Sequence, residues 1–129
     1  YLVAFVVGPL EATRPVDVDG VPLRIVYRPG KAGLSAFAAE VGAFSLRFFA
    51  DYYAIPYPDA KMDMVGLPDF AQGAMENLGC VTYRESLLLL DLDKATQPEI
   101  ATLRQGIVPA WSTGHFSVRY CPGGRRSGS

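Results

Sequence analysis

The chain has 129 residues, of which 50% are hydrophobic and 19% are charged, and its formal net charge is −1. This length fits one small domain or parts of two, and the hydrophobic share supports a buried core. The near-neutral charge excludes a global basic field for nucleic acid, and the apolar runs are too short to span a bilayer. Tyr1 follows no start methionine or leader, so we expect the sequence to begin inside a longer protein.

The N-terminal segment predicts two or three antiparallel strands. Residues 2–7 form a continuous apolar run that is typical of a buried strand. Asp19 and Gly20 stand between two apolar stretches and indicate a tight hairpin. Pro22 has no N–H for a ladder and therefore favours an edge position. The Pro and Gly residues of 28–33 predict a domain boundary.

Residues 34–53 predict one long amphipathic helix. The apolar side chains recur at helical spacing, as Leu34, Phe37, Val41, Phe44, Phe48 and Tyr52. Charged side chains cluster on the opposite side, as Glu40, Arg47 and Asp51. We expect the face with Phe44 and Phe48 to pack on a sheet formed by residues 61–90.

The next segments predict two strands, at 61–67 and 79–90, and a short helix at 94–105. Thr96 is placed to cap that helix, and Glu99 stands at the third position after it, as in a capping box. After Gln105 the composition changes: residues 106–129 contain no acidic side chain and show no period. They predict a disordered, solvated tail.

The stretch "PDFAQGAMENLGCVTYRE" carries the candidate site between the two strands. Its carboxylate, Glu76, could hold an ammonium group or could be a solvated surface charge. Gly73 has no Cβ and lets another backbone approach closely. An extended segment beside an acid could therefore pair with a peptide by strand addition while the acid holds its amino end.

The motif "GAMEN" resembles the exopeptidase signature of zinc aminopeptidases of the aminopeptidase N and puromycin-sensitive type. The resemblance extends from Tyr52 to Leu89, "YYAIPYPDAKMDMVGLPDFAQGAMENLGCVTYRESLLL", and includes "PYP", "K-x-D", "PDF" and "TYRE" in the family's order. The run of several motifs is far more specific than five letters alone. Altogether the resemblance covers about positions 1–105.

The resemblance implies a role for each residue of the motif. Glu76 would hold the free α-amino group of a peptide substrate, and the backbone of Gly73 and Ala74 would line the substrate. Met75 and Asn77 would help to shape the site. A charge-assisted hydrogen bond of this kind is stronger than a neutral one and fixes the position of the first peptide bond.

Two departures from the family pattern stand out. Leu78 occupies the position at which the family usually has Trp, which affects local packing more than the amine anchor. The zinc motif "HExxH" and its third Glu ligand are absent, since the chain has one histidine, His115, and no Glu after Glu99. We therefore expect zinc to be a cofactor of the complete family enzyme, with no site for it in this chain.

The cysteines, Cys80 and Cys121, show no metal-ligand spacing and are interpreted as free thiols. They favour a reducing compartment, the cytoplasm. His115 is interpreted as a loop or strand histidine rather than a ligand. A site built from these three residues would have no support from their spacing.

Together these features predict an α+β fold, mainly antiparallel β with one long amphipathic helix. Residues 1–30 would end an N-terminal β domain, 31–105 would begin a thermolysin-like catalytic domain, and 106–129 would be the atypical tail. The predicted function is part of a zinc metallo-aminopeptidase that removes N-terminal residues from peptides, with the isolated chain inactive. Its expected partners are peptides with a free N-terminal amine, with no nucleic acid and no membrane segment. Two alternatives remain: a non-catalytic peptide-binding module, and an inactive gene remnant.

Overall fold

A computed structural model describes residues 4–119, with residues 111–119 described by their backbone alone. Within this range the chain forms one mixed sheet and two helices, which confirms the α+β class. The strands are β1 (Glu11–Ala12), β2 (Val16–Val18), β3 (Val21–Tyr27), β4 (Met62–Leu67), β5 (Ala74–Asn77) and β6 (Cys80–Arg84). The helices are α1 (Ala36–Tyr53) and α2 (Gln97–Arg119), and short 3-10 turns stand at Ala32–Leu34 and Glu85–Leu87.

The sheet has the order β1-β3-β4-β6-β5, with β2 pairing on β3 beside β1. The pairings β1–β3, β2–β3 and β5–β6 are antiparallel, whereas the central pairings β3–β4 and β4–β6 are parallel. Helix α1 lies between β3 and β4 in the chain, and such a crossover returns the next strand in the same direction. The antiparallel part of the prediction therefore applies to the outer pairs only.

The predicted strand at 2–7 is wrong for the part that the structure describes. Residues 4–7 have no regular structure, and the side chains of Phe5 and Val7 are 88% and 96% exposed. A strand needs a ladder partner as well as β propensity. The structure supplies none for residues 4–7.

The predicted hairpin at Asp19-Gly20 is confirmed. Both residues have positive φ, 52° and 86°, as a type I′ turn requires, and Val18 and Val21 flank the turn as partners. The edge position predicted from Pro22 is wrong, because β3 lies between β2 and β4. The ladder with β4 begins at Leu23, so the missing N–H of Pro22 removes no bond from it.

Helix α1 is confirmed, but the face predicted for packing is wrong. Phe44, Phe48 and Tyr52 are 66%, 46% and 70% exposed. The buried residues are Phe37, Ala38, Val41, Gly42, Ser45, Leu46 and Phe49. A Cβ on Gly42 would stand 2.7 Å from the Met64 sulfur, so the missing side chain lets the helix approach the sheet closely. Small residues thus share the buried face with large ones, and a pattern of large apolar residues alone does not reveal this face.

The predicted strand at 79–90 ends early. Strand β6 stops at Arg84, and the 3-10 turn follows it directly. Leu88 and Leu89 are buried, but by packing outside any strand. The apolar run therefore marks core residues without continuing the ladder.

Helix α2 begins where the capping signal predicts and continues past the predicted end. The Thr96 N–H and hydroxyl both donate to the Glu99 carboxylate at 2.8 Å. The helix then passes through Gly106 and Pro109 to Arg119, so the predicted disordered tail is wrong up to that residue. The rest of the tail, residues 120–129, lies outside the described residues. Leu103, Ile107 and Ala110 are buried at helical spacing, so a helical period continues past Gln105, contrary to the prediction.

The boundary predicted near residue 30 remains a prediction. Strand β3 from the first segment pairs with β4 from the second, so one sheet crosses that point. Among residues 4–119, neither helix combines the length and the apolar character needed to cross a membrane.

Candidate functional site: an edge strand that carries Glu76

The candidate anchor lies on β5, a four-residue strand at one end of the sheet. Its extended conformation agrees with the sequence prediction, and it pairs antiparallel with β6. Ala74, Met75, Glu76 and Asn77 are all half-buried, and Gly73 just before them is exposed. The structure thus brings the five predicted residues together on one continuous segment.

Along β5, the backbone N–H and C=O groups of successive residues point alternately toward β6 and away from it. Asn77 pairs with Cys80 next to the turn, and the Arg84 N–H donates to the Gly73 carbonyl at 3.0 Å. Residues 73, 75 and 77 therefore direct their polar groups at β6. The N–H and C=O of Ala74 and Glu76 point the other way, toward the outer edge of the sheet.

The side chain of Glu76 stands on the face of the sheet that the helices cover. Glu76 is the cross-strand partner of Val81, and Val81 in turn pairs with Met64, the residue under Gly42 of α1. Residues in register share a face. Helix α2 packs against β5, so the carboxylate is flanked by the sheet and a helix.

The turn that follows the strand is held by three contacts. Gly79 has φ 71°, and its N–H donates to the Tyr57 hydroxyl oxygen at 3.0 Å. Its carbonyl accepts from the Asp63 N–H at 3.0 Å and from the Lys61 ammonium at 2.8 Å. Burial raises the pKa of Tyr57 to about 12, so the phenol stays neutral. Leu78 lies at this turn and is 36% exposed.

The loop that precedes the strand is held by Arg84. Its Nε donates to the Phe70 carbonyl at 3.1 Å, and its Nη2 donates to the Ala71 carbonyl. Arg84, Tyr57 and Lys61 were not predicted as site residues. They occur in the family-like "TYRE", "PYP" and "K-x-D", which is the one signal that could have identified them.

Beside the turn, on the opposite face of the sheet, Asp63 forms ion pairs with Arg24 and Lys61. It accepts from Arg24 through both oxygens at 2.8 and 2.9 Å and from Lys61 at 2.8 Å. Burial alone would raise the pKa of Asp63, but these hydrogen bonds outweigh it and hold the pKa below its ordinary value. Burial raises the pKa of the neighbouring Cys80 thiol, which favours an unreactive free thiol, as predicted. Cys121 lies outside the described residues.

The residues around the anchor do not fit a zinc ion. The part of α2 that packs toward the core presents Leu103, Gly106, Ile107 and Ala110, none of which has a metal-binding side chain. Among the described residues, His, Cys, Asp and Glu side chains form no group of three or more that could hold a metal. The side chain of His115 lies outside that part. This donor set therefore gives no basis for a metal-dependent step here.

Residues 74–77 of the motif "GAMEN" thus form an edge strand that packs against α2. The model of the peptidase family M1 domain matches residues 37–108, which is more than half of the chain. The chain belongs to peptidase family M1. The predicted recognition as a fragment of an aminopeptidase N-type enzyme is confirmed.

Among curated proteins, the chain is similar to several named aminopeptidases. It is 52% identical to Aminopeptidase M1 of Arabidopsis thaliana over 70% of the chain, and 45% identical to Aminopeptidase M1-C of Oryza sativa subsp. japonica over 83%. It is 41% identical to Endoplasmic reticulum aminopeptidase 1 of Homo sapiens over 74% of the chain. The chain spans 10–12% of the length of these relatives. The cytoplasmic location remains a prediction.

Proposed function

We propose that this chain supplies the amine-anchoring part of an M1 aminopeptidase, with Glu76 binding the α-ammonium group of a peptide. The observation that carries the proposal is the placement of Glu76 on the outermost strand, β5, next to the backbone of Gly73 and Ala74. An incoming peptide could add to this edge by main-chain hydrogen bonds, as extended peptides do elsewhere. The carboxylate would then admit a chain only by its first residue.

The chemistry of the anchor follows from charge and geometry. An ammonium–carboxylate hydrogen bond is charge-assisted, and its strength depends on close approach and partial exclusion of water. Glu76 is half-buried between the sheet and α2, which limits screening by solvent. Met75 and Asn77 lie on the other face and would shape the strand rather than touch the amine.

The chain by itself is proposed to bind peptides without hydrolysing them. The apolar residues on the buried face of α2, Ile107 and Ala110, favour this non-catalytic reading of the isolated chain. In the complete family enzyme, zinc and its ligands would perform the hydrolysis. Aminoacyl substrates should remain intact with or without added zinc, and zinc-dependent turnover by purified chain would contradict this part of the proposal.

The anchor is tested by titrating the isotope-labelled chain with trialanine amide and with its N-acetylated form. The free-amine peptide should bind at least about tenfold more tightly, because acetylation removes an ionic hydrogen bond of about 1.5–3 kcal/mol. Glu76→Gln should erase the preference, while Glu40→Gln, at an exposed position of α1, should preserve it. An equal affinity of the wild-type chain for both peptides would overturn the anchor.

A further inference from the structure

The anchor strand has little rigidity of its own. Strand β5 has four residues and, within the described part of the chain, pairs only with β6. Its turn is also less favourable than that of the β2–β3 hairpin. At Leu78-Gly79 only the glycine has positive φ, whereas both residues of Asp19-Gly20 do. Turns with positive φ at both positions match the twist of the flanking strands better.

Both ends of β5 are instead held by side chains from outside the strand. At the start, the Arg84 guanidinium donates to two carbonyls of the preceding loop, those of Phe70 and Ala71. At the end, the Tyr57 hydroxyl oxygen accepts the N–H of Gly79 at 3.0 Å. Both sets of contacts lie three residues or more from Glu76, one on each side of it.

We propose that Arg84 and Tyr57 are the positioning residues of the amine anchor: they hold the two ends of β5 so that Glu76 meets an incoming ammonium group at bonding distance. The proposal rests on the proposed function of Glu76. Neither side chain needs to touch the peptide. Ionic hydrogen bonds require distances of about 2.7–2.9 Å, and small displacements at a positioned group are costly. Loosening either end should therefore weaken amine recognition more than it weakens general peptide binding.

The geometry of each contact predicts which replacements preserve it. A guanidinium can reach two carbonyls at once from fixed directions, whereas a lysine ammonium is a single point donor. Arg84→Lys should retain part of the function, and Arg84→Met should retain none of it. Tyr57→Phe keeps the ring in place but removes the oxygen that accepts the Gly79 N–H.

The first measurement is the affinity ratio between trialanine amide and its N-acetylated form. Arg84→Met and Tyr57→Phe should each lower the ratio about three- to tenfold, with little change for the acetylated peptide. Arg84→Lys should give an intermediate ratio. Arg47→Met and Tyr52→Phe, at exposed positions on α1, should leave the ratio unchanged. An unchanged ratio in the Arg84 and Tyr57 variants, or an equal loss for both peptides, would overturn the proposal.

The second measurement is amide hydrogen exchange of the chain without peptide, which does not depend on the role of Glu76. Arg84→Met and Tyr57→Phe should accelerate exchange across residues 73–79, while exchange in β3 and β4 stays as in the wild type. Exchange at 73–79 equal to that of the control variants would overturn the positioning role. If the wild-type chain shows no amine preference, the proposed function fails, and this exchange measurement still decides whether the two side chains hold the strand.

Discussion

At Gly79, next to the site, both the backbone conformation and the packing exclude a larger side chain. It has φ 71°, and a Cβ there would stand 2.1 Å from the Asp59 carboxylate. Gly79→Ala should therefore destabilise the fold by about 1–2 kcal/mol for the backbone alone and by about 1 kcal/mol more because the carboxylate must move away. Gly20→Ala, at φ 86° with open space around it, should show the backbone cost alone.

The measurement for this prediction is chemical denaturation of both glycine variants and of Gly79→Ala combined with Asp59→Ala. The double variant should recover the extra cost, because the two changes are coupled through one contact. Equal destabilisation by Gly79→Ala and Gly20→Ala would show that Asp59 does not restrict the turn.

Asp63 should contribute stability that depends on pH. Its pKa in the folded chain lies below the ordinary value of 3.8, so its contribution is complete above that value and is lost as the pH falls through the lower folded pKa. Asp63→Asn should cost about 1–2 kcal/mol at neutral pH, and the difference from wild type should shrink below about pH 4. Denaturation at several pH values measures this, with Asp93→Asn as an exposed control. A difference that stays constant into acid would contradict it.

Individual site residues were predictable to different degrees. Glu76 and its neighbours follow from the motif "GAMEN", whose extended conformation the structure reproduces. Arg84 and Tyr57 stand in the motifs "TYRE" and "PYP", but their contacts could not be deduced, because their partners are backbone groups of Phe70, Ala71 and Gly79. Such contacts depend on how loops meet in space and leave no complementary residue type in the sequence.

At the scale of elements, α1 provides a comparison between two adjacent phenylalanines. Phe49 is 6% exposed and Phe48 is 46% exposed. Phe49→Ala should cost about 3–5 kcal/mol of folding stability, as for other buried phenylalanines, while Phe48→Ala should cost about 1 kcal/mol. Thermal or denaturant unfolding of the two variants measures the difference. A larger loss for Phe48→Ala would restore the face first predicted from the sequence.

The start of α2 provides a second prediction. The Glu99 carboxylate accepts the Thr96 N–H, which is one half of a capping box, and it also accepts the Thr96 hydroxyl. Thr96→Ala removes the hydroxyl contact and should therefore lower the stability of the chain slightly. Thr102→Ala is the matched control, since that exposed hydroxyl donates only to the Pro98 carbonyl within the helix. Denaturant midpoints of the two variants report the difference, and equal midpoints would contradict the role of the cap.

The two helices show what periodicity can and cannot predict. The recurrence of apolar residues at helical spacing predicts helix α1, but not its orientation. The orientation brings Gly42 against Met64 of the sheet, where a side chain on the helix would not fit. The prediction for α2 ends at Gln105 because the composition changes there and no period is evident after it. Gly106 and Pro109 are also poor helix residues by propensity. Burial of Ile107 and Ala110 accompanies the continued helix, as expected when tertiary packing overrides propensity.

At the scale of the whole molecule, the sequence predicted the class of fold and the family but not the arrangement of the sheet. The hairpin at Asp19-Gly20 is encoded by two adjacent residues, so it was predictable. The parallel pairings of β3 with β4 and of β4 with β6 join distant segments, and no local pattern specifies them. The same long-range pairing crosses the boundary predicted near residue 30.

The central claim, that Glu76 anchors a substrate amine, is tested most directly in a chimera that joins this segment to an M1 catalytic domain with an intact zinc motif. The kcat/KM for a free-amine substrate should fall about ten- to hundredfold on Glu76→Ala, as expected for loss of one ionic hydrogen bond. Glu40→Ala, at an exposed position of α1, should retain the parent's rate. The account predicts that N-acetylation of the substrate removes most of the difference between parent and Glu76→Ala. Cleavage of the free-amine substrate by Glu76→Ala at the parent's rate would contradict it.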